Sequence, residues 1–582
     1  MSLRITEEDE KALQEINRDI SHHKQAIVVL NRRLNSFILI NRLPPELLAK
    51  IFLFCRDGPL KTNQFDHPKF GRLPSSLRWV LILGVCHHWR EVALQTPRLW
   101  ARVDLDHPKF VENFPLGLAK SCPLHLKATR WSAEQSTLFD TVISNMNNVQ
   151  TIDLDLAQLY HATGTLEVFP PHTSQLKSIR VVGGHQTVPT FLSAFEKCNF
   201  PALQILVAQN CIGSLPPCLL SSTLKQLTLQ TRSGQFINPG MLIQALSQMD
   251  QLQSLNVEGI SFRQVGNPQP ASASLLTQKI PLPSLRRLIL QPSHGGQRDY
   301  MAFLANVELS SHQQVQLKFH HAMPDEDVTL LLRVVLPHFG SFTFRSIALS
   351  DVGTAFIVGL WQRAIDPSLF DTMMPNPPFV LWLPRALQVE RVVWDDFLHL
   401  LPLQNVETIH LGDLIYRKKL LDDWRRLLQT CLHVKSLGMM GDVALKMVRL
   451  LRETQAVRTN KGEKVAQPVA PKLVSIHLTD VVWRTLNEVE THDSGRFIQD
   501  LTHLLKIRGV ALLPIKKLVI KRCLNMDPMH VNLFRAQGRT VEWDNRVSYE
   551  EDDEEDDEDY DSDDPYGLNY HGYPHAYHHH WF

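Results

Sequence analysis

The chain has 582 residues, of which 44% are hydrophobic and 21% charged, with 60 basic and 60 acidic side chains and a formal net charge of zero. That length is too great for one compact core, so two or three domains, or one extended repeat domain, are expected. The eight scattered cysteines include no Cys-x-x-Cys pair, which argues against a disulfide framework or a zinc site and suits a reducing cytosol or nucleus. The acidic, polar start MSLRITEEDEKAL is unlike a signal peptide, and no apolar run is long enough for a membrane span.

The neutral balance hides an asymmetry. Thirteen acidic residues fall within positions 550–564, which leaves the preceding body with a formal excess of about 13 positive charges. In chain order, residues 1–39 read as a helix with a heptad stripe. Leu13, Ile20, Ile27 and Leu34 alternate with Ile16, His23, Leu30 and Phe37. Such a stripe suits a short coiled coil, or a helix laid on the domain behind it.

Residues 40–105 follow. Leu43-Pro44-Pro45-Glu46 opens a helix, with proline in the first turn and an acid at the positive dipole end. Leu47, Leu48, Ile51, Phe52 and Cys55 recur at three- and four-residue steps as an apolar face. A break at 58–74 precedes a second expected helix carrying Leu81, Val85, Trp89 and Val92 or Ala93, and Leu99-Trp100 closes the block. Two short helices with this much aliphatic and aromatic surface need a partner or the rest of the chain.

INRLPPELLAKIF and LGVCHHWREVALQTPRLWARV resemble the two halves of an F-box, in the form abundant in mushroom-forming (basidiomycete) fungi. The resemblance covers about 65 residues, with an insertion at 56–79 between the halves. It implies docking to the Skp-type adaptor of a cullin–RING (SCF-type) ubiquitin ligase. The implied contacts are Leu43, Pro44, Leu47, Leu48, Ile51 and Phe52 from the first half, and Val85, Cys86, Trp89, Leu99 and Trp100 from the second.

From residue 149 a phrase recurs: an aliphatic residue, two polar ones, an aliphatic, a variable position and another aliphatic. It begins at Val149, Leu176, Leu203, Leu224, Leu252, Leu285, Phe344, Val406, Val434, Leu473 and Ile515. Chance alone gives roughly 50 matches to so loose a pattern, so the spacing has to decide. Most starts lie 21–42 residues apart, and the two gaps of 59 and 62 hold weaker candidates at 315–319 and 379–383. Helices are expected between them, for example at 300–309 and 418–432. This period suggests leucine-rich-repeat turns, each burying its apolar face on its neighbours. The expected architecture is thus an α/β repeat: an irregular solenoid over 140–547 with short parallel strands, and Cys211 and Cys523 alone at the usual Asn/Cys position. A doubly wound α/β domain is the competing fold.

No nucleotide-binding glycine loop or nucleophile elbow occurs, and the adjacent His87-His88, His22-His23 and His320-His321 point apart as metal ligands. No enzyme, metal or cofactor is therefore expected. Nucleic acid is not an expected partner either, since the basic excess forms no stripe. Residues 539–543 read as a last edge strand. The acidic and His/Tyr-rich segment 548–582 is expected to be disordered. The function these readings support is non-catalytic: a substrate-recognition adaptor whose helical block binds the ligase core and whose solenoid binds a protein target. Lys225, Gln253, Arg286 and Lys435 lie on the expected target face. The alternative is a protein-binding scaffold without ubiquitin transfer.

Overall fold

The computed structural model describes residues 7–58, 75–113, 115–129, 137–142, 148–155, 175–183, 195–212, 215–231, 236–262, 280–308, 314–319, 323–336, 342–352, 355–370, 377–384, 391–412, 421–458, 464–483, 497–526 and 528–547. The acidic and His/Tyr-rich tail, His320-His321 and most of the insertion at 56–79 lie outside them. The chain divides into two compact units, Met1–Leu227 and Thr228–Phe582.

The first unit opens with helix α1, Glu7–Ser36, none of whose residues is buried. The expectation that its stripe lies on the domain behind it is therefore not met. Four short elements follow: a 3-10 turn at Leu39–Arg42, α2 at Pro45–Asp57, a 3-10 run at Ser75–Gly84 and α3 at His87–Leu94. Helix α4, Pro97–Trp100, leads straight into β1, Arg102–Asp104. Strands β2 (Leu124–Ala128), β3 (Val149–Asp155), β4 (Ser178–Val182) and β5 (Ile205–Gln209) then pair in succession, all parallel. The ladder thus begins at Arg102, some 40 residues before the expected boundary at 140, because β1 and β2 lack the full phrase.

Strand register explains why the phrase works. Its inner aliphatic positions stack as two columns, Leu126–Ile152–Ile179–Leu206 and Ala128–Leu154–Val181–Ala208. All eight side chains are buried. A single repeat has only one apolar face, and the stacked column is what removes that face from water.

Among its described residues, the second unit repeats this logic in a ladder that includes eleven strands from Ser254 onward. In spatial order they are Ser254–Glu258, Arg287–Gln291, Gln314–Lys318, Phe379–Pro384, Ala355–Trp361, Ser346–Val352, Thr408–Leu411, Ser436–Met440, Ser475–Thr479, Lys517–Lys521 and Thr540–Trp543. One column runs unbroken from Leu255 through Leu288, Val315, Phe379, Leu360, Ile347, Ile409, Leu437, Ile476 and Leu518 to Val541. Helices such as Gln297–Asn306, Leu421–Thr430, Asp442–Leu451 and Phe497–Val510 connect the strands. Parallel strands alternating with helices, stacked along one ladder, make this a leucine-rich-repeat-like fold.

The expectation of parallel strands throughout fails at one place within the ladder and again beside it, where Thr454–Arg458 pairs antiparallel with Lys464–Pro468 in a separate two-stranded sheet. Strands Ser346–Val352, Ala355–Trp361 and Phe379–Pro384 enter the ladder in reversed order, and the middle one is antiparallel to both neighbours. Val352 pairs with Ala355, three positions on, and so short a separation admits only an antiparallel partner, since a parallel one needs a long crossover. AFIVGLW escapes the phrase because it is apolar at every position and buried at every position.

Strand ends share a further device. Asn210, Gly259, Asp480 and Arg522, each one residue past a strand, adopt positive φ. The residue after each of these is buried. After Asn210 and Arg522 it is a cysteine whose thiol donates to the previous repeat strand: Cys211 to the Val181 carbonyl at 3.7 Å, and Cys523 to the Leu478 carbonyl at 3.8 Å. Gly259 carries the most demanding turn, since φ is +70° and a Cβ there would run into the carbonyl oxygen of Thr231. Gly259→Ala is expected to destabilise the second unit by about 1–3 kcal/mol, read as a lowered urea midpoint.

Candidate protein-docking surfaces

The helical block 40–105 has an inside and an outside. On α2, Leu48 and Phe52 are buried, while Leu47, Ile51 and Phe54 remain 44%, 37% and 77% exposed. The exposed three lie at i, i+4 and i+7, so they share one helical stripe. The 3-10 run turns Leu77, Trp79 and Ile82 inward and leaves Leu81, and then Val85, facing out. The expected single helix through Leu81 and Val92 is in fact broken between Gly84 and His87, where Cys86 caps α3 by accepting the Trp89 N–H at 3.5 Å.

Aromatic packing fixes the inside. Trp79 meets Trp100 edge-on at 5.1 Å, Phe110 stacks on Trp100 at 6.4 Å, and the Trp100 indole N–H donates to the Ala93 carbonyl at 2.8 Å. Trp89 lies 5.1 Å from Phe52 and donates to Asn41 Oδ1 at 2.6 Å. The guanidinium of Arg56 donates to the carbonyls of Arg98 (2.5 Å) and Leu99 (3.1 Å), tying the end of α2 to α4. The hydrogen bond from Arg56 also holds the Asp57 carboxyl below its ordinary pKa. A 370 Å³ cleft lined by Arg56, Asp57, Arg98, Arg102 and His125 lies beside this pair.

The eleven contacts expected from the sequence therefore separate. Leu48, Phe52, Leu99 and Trp100 are interior, which corrects their assignment to a partner surface. Leu43, Cys86 and Trp89 are half-buried, and Pro44, Leu47, Ile51 and Val85 face outward. Phe54 and Leu81 join the exposed set. Phe54 was legible as the next residue on the Leu47–Ile51 stripe, but the similar spacing of Cys55 drew the helix face the other way.

Strand faces form the second candidate surface. Outward positions alternate with the core columns, and at Ser346, Ser350, Thr408, His410, Ser475, His477 and Thr479 they too are buried. Their cover is the segment following Ala355–Trp361. Ile365 and Phe370 form a buried cluster with Ala348 and Trp361, and Phe370 stacks on His410 at 4.4 Å. The Ile365 N–H donates to Ser346 Oγ at 2.8 Å, and Ser346 Oγ donates to the Arg363 carbonyl at 2.9 Å. Gly438 is needed beneath this cover, because a Cβ there would stand 2.8 Å from Pro367 and 2.6 Å from His410. Over these strands the expected target face is occupied by the chain itself. It stays partly open along Ser254–Glu258 and Gln314–Lys318, whose alternate positions are half-exposed or exposed.

Of the four residues singled out on the target face, Lys225 is half-buried and Gln253, Arg286 and Lys435 are exposed. Lys435 pairs with Glu407 at 2.9 Å, and Glu407 also takes Arg345 at 2.5 Å. His87 lies 3.3 Å from Glu91, and His22 and His23 meet edge-on at 5.8 Å.

No helix among the described residues is long and apolar enough to cross a membrane. No protein-family model matches the chain, and no curated protein matches it. Among solved structures, the chain is similar to a leucine-rich repeat-containing protein from Legionella pneumophila, at 10% identity and a TM-score of 0.23, over 65% of this chain and 83% of that one.

Proposed function

We propose that this chain is the substrate-recognition adaptor of a cullin–RING ubiquitin ligase, with residues 40–105 acting as an F-box that docks the Skp-type adaptor. The observation that carries this reading is the split of α2. Its inner stripe already closes the block's own core, yet among the described residues Leu47, Ile51 and Phe54 form a second apolar stripe that stays exposed. Exposed apolar surface of this kind on packed helices marks a protein-binding site. The half-exposed strands 254–258 and 314–318 provide a surface for a protein target. The chain itself makes and breaks no bond; rate enhancement comes from effective concentration near the ubiquitin-charged enzyme.

Leu47→Lys combined with Ile51→Lys is expected to abolish co-purification of the Skp-type adaptor while leaving the melting temperature unchanged, since both side chains lie outside the core. Undiminished co-purification of the adaptor with this variant would overturn the reading.

A further inference from the structure

Helix α1 is the most exposed apolar element of the described chain. Leu13, Ile16, Ile20, Ile27, Leu30, Leu34 and Phe37 are between 43% and 66% exposed. At 30 residues the helix is about 45 Å long by its rise per residue. Without tertiary contacts, a helix in water is held by propensity alone and is marginal. The stripe has heptad spacing, which is the geometry of a helix-to-helix seam.

The charges indicate which helix fits. The first turn is Glu7, Glu8, Asp9 and Glu10, and the last carries Arg33 next to Arg32. A partner with the same gradient running the other way matches acid to base at both ends and opposes the helix dipoles favourably. A second copy of this helix is such a partner. With the two copies antiparallel and fully overlapped, Leu13 sits against Leu30, Ile16 against Ile27 and Ile20 against His23, with each layer occurring twice. The acidic first turn of each copy then lies at the level of the Arg32-Arg33 end of the other. In a parallel pair, four acidic residues would meet four acidic residues and His23 would face His23.

We propose that α1 is a self-association helix, pairing antiparallel with α1 of a second copy of this chain. The seam lies on a different element from the α2 stripe, so the proposal does not depend on the adaptor reading. It implies that two copies present two docking blocks at opposite ends of one helical rod.

The experiment uses the full chain. Sedimentation equilibrium should show a concentration-dependent rise from one chain to two, and Ile16→Lys with Ile27→Lys should hold the protein as single chains. A protein that stays single up to about 100 μM, weaker than any useful self-association, overturns the proposal. Pairing that survives the double variant also overturns it, because the contact then lies elsewhere. Orientation is read by mixing Leu13→Cys chains with Leu30→Cys chains and mapping the oxidised peptides. An excess of 13–30 cross-links is expected, whereas dominant 13–13 and 30–30 cross-links would overturn the antiparallel arrangement.

Discussion

Trp100→Ala is expected to destabilise the first unit by about 4 kcal/mol, the usual scale for truncating a fully buried tryptophan. Trp100 is fully buried, its indole N–H is bonded to the Ala93 carbonyl, and its ring packs on Trp79 and Phe110. Truncation would leave a cavity at the junction where the helical block passes into β1, and would remove one of the donors to the Ala93 carbonyl, which keeps the Thr96 N–H at 3.2 Å. For a unit of this size such a loss lowers the melting temperature by roughly 10 °C. Leu47→Ala is the matched control: it removes an aliphatic side chain that is 44% exposed and should shift stability by less than about 0.5 kcal/mol. Thermal unfolding followed by tryptophan fluorescence separates the two. Equal effects would mean that the inside and outside of this block have been exchanged.

The second large effect concerns acid. His410 is wholly buried, and burial pushes its pKa down to about 3; the nearby His477 acts in the same direction. Burial likewise lowers His477 to about 4, opposed by Asp366, whose Oδ1 lies 3.8 Å from its Nδ1. In the unfolded chain both rings titrate near their ordinary value of about 6.5. The unfolded state therefore binds protons that the folded state refuses. Stability is fully present above about pH 6.5 and falls as the pH drops through 5 toward the folded values. At pH 5 the loss is about 2 kcal/mol for each ring. The sensitive place is the cover over the strand face, since a charged His410 would sit against Phe370 with no counter-ion among the described residues.

His410→Phe keeps a ring for that stack, and neither ring nitrogen of His410 has a hydrogen-bond partner to lose among the described residues. This variant should remove about half of the acid sensitivity between pH 7.5 and 5, measured as the change in urea midpoint. An unchanged pH slope would show that His410 does not carry its share.

Much of this architecture was written in local sequence. All eleven phrase starts lead into strands, as do the weaker candidates at 315–319 and 379–383 and the edge strand at 540–543, because the phrase encodes a half-buried strand with one column-facing side. The expected helices near 300–309 and 418–432 are present at Gln297–Asn306 and Leu421–Thr430 for the same reason, with apolar spacing fixing the face. Periodicity is a property of neighbours in the chain, so it survives without knowledge of the fold.

Tertiary structure decided the rest. Whether Leu48 or Leu47 is the inner residue of α2 depends on where Trp89 and the 3-10 run pack, and adjacent leucines carry no mark of it. The reversed strands at 346–384, and the segment after Ala355–Trp361 that covers His410 and Gly438, depend on contacts between residues tens of positions apart. AFIVGLW carries no alternation from which its direction could be read, and the polar positions of its neighbours look solvent-facing until that cover is in place. Local sequence therefore specified which segments are strands and helices, while long-range packing chose their order, their inward faces and the apolar surface left open.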